Sequence, residues 1–217
     1  NEKLTLLTYL SNCLYKTKKY KQSLKYSEEL LSGMKEYDCF LHDKYLFYYY
    51  NILVLNYAKT DKKKALDYLN KASRSEVIKK LPSYNVFIYL NRSLIYYYQN
   101  NFKESQKNIA RLIMQEDFLL LDKSFQLKIL VTELMIRMTL SNKNLKDKIT
   151  RVNNDYKSLL LEKHYKREKK MIDLISNKIN NKDIVEDKEN ILLWMSDSDS
   201  EDIDIISYNI WIKENIK

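Results

Sequence analysis

A chain of 217 residues with a single glycine, Gly33, and a single proline, Pro82, lacks the residues from which turns and phosphate loops are made. Glycine supplies positive φ and lets a backbone approach a ligand closely, and proline presets tight turns. A dinucleotide-binding fold, a P-loop and a nucleophile elbow each need glycines in fixed register. A multi-stranded β domain needs a turn residue about every ten positions. Helices joined by short polar loops need neither, because Asn, Asp, Ser and Lys start and end them adequately. The expected fold class is therefore all-α.

Apolar spacing divides the chain into helices. Leu4, Leu7, Leu10 and Leu14, then Tyr20, Leu24, Leu30 and Leu31, recur at helical intervals on either side of the lysines at 16–19. The same reading places hairpins over about 3–34, 42–80, 83–116 and 122–161 and a further helix over 163–179, a body of 1–180. A polar and acidic linker with a short helix follows over 181–202, then an apolar helix over 203–217. The longest apolar stretch, 46–58, is broken by Asn51 and Asn56 and falls short of the roughly eighteen residues of a membrane span. The chain opens at Asn1 without Met, so it is expected to be a piece of something longer.

If the turns are aligned on Lys19-Tyr20-Lys21, Asp61-Lys62-Lys63 and Asn101-Phe102-Lys103, the positions where paired helices must touch read Ser11, Ser23, Leu30; Leu53, Ala65, Ala72; Ser93, Ser105, Leu112. Six of the nine are Ser or Ala, whereas Gly, Ala and Ser make up only 22 of 217 residues. The equivalents Ser23, Ala65 and Ser105 lie 42 and 40 residues apart, and in the fourth pair Ile136 and Lys148 take these places. In this register, over about residues 3–160, the chain resembles the tetratricopeptide-repeat family in a long-repeat bacterial form. The family's period is about 34, so each hairpin is expected to carry one or two extra helical turns. The resemblance implies a right-handed α–α superhelix of antiparallel hairpins with a C-terminal cap. It further implies a cytoplasmic, non-catalytic scaffold for protein–protein interaction that uses no cofactor.

In that family the first helix of each pair lines the concave groove. Carried over residue by residue, the groove reads Asn12 and Tyr15; Phe47, Tyr50, Asn51, Val54 and Tyr57; and Phe87, Leu90, Asn91, Leu94, Tyr97 and Tyr98. An Asn amide offers an acceptor and two donors, so Asn12, Asn51 and Asn91 suit the backbone of an extended peptide. The family's carboxylate clamp has Asn where Asn12 and Asn51 stand but Lys where this chain has Thr8 and Phe87. The implied ligand is thus a protein or peptide segment and not a free C-terminus.

The net charge is +9, and the turns between paired helices are rich in lysine, notably Lys18 and Lys19, then Lys62, Lys63 and Lys64. Stacked on one edge, these would attract phosphates, which makes a nucleic-acid-binding repeat the second reading. Lys outnumbers Arg by 32 to 6, the pattern of an AT-rich coding sequence, and ranks that reading lower. Cys13 and Cys39 read as small apolar fillers, and neither they nor His42 and His164 have partners at metal-ligand spacing. The acidic run 196–202 lacks the Gly and closing Glu of a calcium loop. Beyond it, Ile206, Ile210 and Trp211 are spaced to cap the end of the array, or to meet a sister chain.

Overall fold

The computed structural model describes residues 2–37, 42–141, 144–180, 192 and 204–216. Cys39, Lys143, the acidic run 196–202 and nearly all of the linker 181–202 lie outside the described residues. Among the described residues the chain is helical, without a strand, and no helix is long and apolar enough to cross a membrane. It forms two compact units, Asn1–Asn100 and Asn101–Lys217, and the division falls within the expected hairpin 83–116.

The first unit contains α1 (Glu2–Lys16), α2 (Tyr20–Glu36), α3 (His42–Thr60), α4 (Lys62–Arg74), the four-residue α5 (Glu76–Lys79), a π-helical turn (Val86–Leu90) and α6 (Asn91–Tyr97). Helix α3 packs against α1, α2 and α4. Leu4, Leu30, Met34, Tyr45, Ile52 and Leu53 form one part of the core, and Val54, Ala65, Leu69, Ala72, Ile78 and Ile88 another. The expected small contacts Ser11, Ser23, Ala65, Ala72 and Ser93 are all fully buried. Ser23 shows why size matters there: its hydroxyl donates to the Ser11 carbonyl across the α1–α2 seam at 2.8 Å. The same oxygen accepts from Asn56 Nδ2 of α3 at 2.9 Å, so one serine ties three helices.

The second unit contains α7 (Phe102–Ile113), α8 (Glu116–Leu120), α9 (Lys123–Thr139), α10 (Leu145–Asp155), α11 (Lys157–Leu161), a 3-10 turn (Lys163–Tyr165), α12 (Lys166–Ile179) and α13 (Tyr208–Asn215). Helix α9 is the axis of this unit, buried from Ile129 to Ile136 and packed on α7, α10 and α12. Side-chain caps define the starts of several helices: Asp61, Ser75, Asn101, Asp122 and Ser207 each accept from a backbone N–H two or three residues on.

Short helices follow α4, α7 and α10: α5, α8 and α11 each bury one anchor, Ile78, Phe118 and Leu160. Cys13 is exposed on α1 instead of filling the core. The fourth pair also acquires an explanation. At the fourth residue of α10, where α2, α4 and α7 carry Ser23, Ala65 and Ser105, stands Lys148, and its ammonium meets the fully buried Glu133 of α9. Arg137 reaches the same carboxylate oxygen at 2.8 Å, so a charged contact replaces the small one.

Segment 204–216 is laid on α9 and α12. Ile206, Tyr208, Trp211, Ile212 and Ile216 are buried, and Trp211 Nε1 donates to Thr139 at 3.2 Å. Arg167 of α12 donates to Asp204 at 2.7 Å in a pair almost closed to solvent. Ile210, expected at the buried face, is 55% exposed: two residues from both Tyr208 and Ile212, it lies on the side of the helix roughly opposite these buried residues.

Candidate functional site

The first unit holds 17 Lys and Arg against 9 Asp and Glu, and the second 21 against 20, so +8 of the formal +9 resides in residues 1–100. The same residues carry 16 of the 19 tyrosines. A bias of base content would fall on both halves alike. The aromatic and basic character therefore belongs to one unit.

Helix α3 is the reason for much of it. Its buried positions, Tyr45, Tyr49, Ile52, Leu53, Val54 and Asn56, are claimed by the neighbouring helices. Another face of the helix keeps a stripe, Lys44, Tyr48, Asn51, Leu55 and Lys59, in which each residue is half-buried or exposed. The three- and four-residue steps of that stripe keep it on one face. Phe47 of α3 meets Phe87 edge-on at 5.1 Å, which brings the π turn of the α6 segment beside α3. Asn91, directly after that turn, is half-buried and donates to the Phe87 carbonyl at 2.8 Å. A π turn carries one residue more per turn than α-helix and is frequent at functional sites.

The expected groove residues divide among several environments. Asn12, Asn51 and Asn91 are half-buried. Phe87 and Tyr97 are buried at 5% and 7% exposure, while Tyr98 is 39% exposed. Tyr50 and Tyr57 turn toward α4: Tyr57 stacks on Tyr68 at 5.3 Å with rings 8° from parallel. Burial raises the pKa of Tyr50 and, more strongly, of Tyr49, so both hydroxyls stay protonated as donors. Tyr68 belongs to α4, the second helix of its pair, whereas the family's groove is lined by first helices. Its only sequence signal is its place one turn beyond Lys64.

The lysines of the expected edge also separate. Lys18, Lys19 and Lys63 are exposed. Lys62 is half-buried and donates to the Tyr98 carbonyl at 2.7 Å, closing the C-terminal end of the α6 segment. Three others lie over tyrosine rings, Lys59 on Tyr98 at 5.6 Å, Lys64 on Tyr57 at 5.5 Å and Lys71 on Tyr68 at 4.9 Å. Among the described residues, no group of three or more His, Cys, Asp or Glu is gathered that could hold a metal ion.

Comparison with protein-family models, with curated proteins and with solved structures finds no match to this chain.

Proposed function

We propose that the chain is a tetratricopeptide-like helical-repeat scaffold without chemistry of its own, and that its first unit holds a protein or peptide segment along the open side of α3. What supports the reading is one observation: the stripe Lys44, Tyr48, Asn51, Leu55 and Lys59 is half-buried or exposed along one face of α3, and Asn91, on the segment that Phe87 joins to Phe47 of α3, is half-buried as well. An extended segment lying on this face meets amides that bond to backbone and aromatic edges that bury its side chains. The groove so defined is narrower than the family pattern implies, since Tyr50 and Tyr57 serve the packing with α4.

The test is capture of partners from a lysate on the immobilised full chain and on an Asn51→Ala, Asn91→Ala variant. Loss of two hydrogen bonds of about 0.5–1.5 kcal/mol each weakens a captured partner about tenfold. The melting temperature is expected to stay within about 3 °C of the parent, since neither amide joins two helices. A variant that captures the same partners with the same affinity removes the groove from consideration.

A further inference from the structure

The three ring-held lysines bear on which kind of segment the first unit takes. Lys59, Lys64 and Lys71 each carry their ammonium within 4.9–5.6 Å of a tyrosine centroid, and two of those rings, Tyr57 and Tyr68, are stacked on one another. The result is a short comb of cations braced by aromatic rings, reaching from the end of α3 across α4 to the end of the α6 segment. A free lysine on a surface samples many rotamers and must be ordered when it binds, whereas a lysine resting on a ring has given up part of that freedom already. The counter-charges nearby are few. Asp61 lies 3.9 Å from Lys64 but accepts from the Lys64 backbone N–H as the α4 cap, and Asp67 is exposed.

We propose that this comb selects an acidic protein segment, whose carboxylates pair with Lys59, Lys64 and Lys71 while these rest on their tyrosine rings. The proposal rests on the reading that the first unit binds a segment beside α3, and it names the chemistry of that segment. Single-stranded nucleic acid is the weaker fit for two reasons on the same residues. Nonspecific strands bind by stacking bases on open aromatic faces, but Tyr57 and Tyr68 present one face to each other and meet a lysine besides. Phosphates favour the bidentate fork of arginine, and the first unit has only Arg74 and Arg92, of which Arg92 donates to Asn70. Carboxylates placed singly along a peptide suit single ammonium groups.

The experiment measures fluorescence anisotropy of the full chain with three labelled probes at 0.15 M salt: a ten-residue Glu-rich peptide, the same peptide with every Glu replaced by Gln, and a ten-nucleotide oligothymidine. Three variants accompany it: Lys59→Gln, Lys64→Gln, Lys71→Gln together; the charge-matched Lys18→Gln, Lys19→Gln, Lys63→Gln; and Tyr68→Leu, which keeps every charge. The Glu peptide is expected to bind tightest. The comb variant should weaken it about tenfold, from three exposed pairs of a few tenths to one kcal/mol each, and the charge-matched variant by less than half as much on a logarithmic scale. Tyr68→Leu should weaken it about threefold with the net charge unchanged, because Lys71 loses its ring. Circular-dichroism melts of each variant identify any loss due to unfolding, and Lys71→Gln alone replaces Tyr68→Leu if the latter melts early.

Equal binding of the Glu and Gln peptides, or equal losses in the two charge-matched variants, overturns the comb. Tighter binding of oligothymidine than of the Glu peptide overturns it in favour of nucleic acid. Should the Gln peptide bind as well as the Glu peptide and both depend on Asn51 and Asn91, the comb fails while the groove stands. Loss of that dependence as well removes both.

Discussion

Gly33 lies inside α2 and not at a turn, where it lets α1 come close: a Cβ built there would stand 2.8 Å from Leu4 Cδ2. Leu4 is itself 1% exposed, so it has little room to retreat. Gly33→Val should destabilise the chain by about 1–3 kcal/mol, the usual range for overpacking, as read from urea unfolding. The positive-φ positions are instead taken by Lys18, Asn100 and Ser141, at or near helix ends. A count of glycines therefore predicted the fold class without revealing where the chain bends, because short polar loops tolerate one left-handed residue each at modest cost. A second residue under strain is Glu168. It is 3% exposed, its Oε2 has no hydrogen-bond partner, and burial foremost raises its pKa against the pull of Lys128 and Arg167, with Asp204 adding to the rise. A carboxyl whose folded value is raised favours the fold while protonated, so its contribution is whole below the ordinary 4.5 and falls as pH climbs through the raised value. Glu168→Gln should raise the melting temperature at pH 7, and the gain should vanish below pH 4.5, where neither side chain is charged. A gain that persists at low pH would point to packing and not to charge.

At the level of elements, the pairs α1–α2, α3–α4 and α9–α10 form where apolar spacing and turn residues placed them, since each signal is local. The short helices α5, α8 and α11 were not legible. Four or five residues are too few to show a helical period, and Lys79, Lys80, Leu119, Leu120 and Leu161, at or beside their ends, are exposed whatever their chemistry. Helix α13 separates two residues that the sequence treated alike. Trp211→Ala should cost about 3–5 kcal/mol, since it empties a buried site and removes one of the hydrogen bonds to Thr139, whereas Ile210→Asn should fall within about 0.5 kcal/mol of the parent. Both are measured by chemical denaturation of the full chain. Similar losses at the two positions would mean that the segment lies on the unit differently from the arrangement described here.

At the level of the whole molecule, the two units differ in the electrostatic work of folding. The first gathers +8 into 100 residues and the second carries +1 over 117. Like charges repel more in the compact state than in an expanded chain, and salt screens exposed charges beyond a Debye length, about 10 Å at 0.1 M. Raising sodium chloride from 0.02 to 0.3 M should therefore strengthen amide-exchange protection in residues 1–100 more than in residues 101–217. Peptide-resolved hydrogen exchange reads both at once. A uniform response across the chain would show that local pairs, not net charge, set the balance.

The contact between Glu133 and Lys148 gives the array an address. Where Ser23 meets Ser11 through a hydroxyl and a carbonyl, many small residues would serve, and such helices are in principle exchangeable modules. Helix α9 is not. Transplanted opposite α2, it would bury Glu133 against Ser23 with only Arg137 of its own turn for company, and α10 opposite α1 would point Lys148 at the Ser11 backbone. The charged seam thus works as a lock and key between α9 and α10, because a register slip here would leave the buried Glu133 without the ammonium of Lys148.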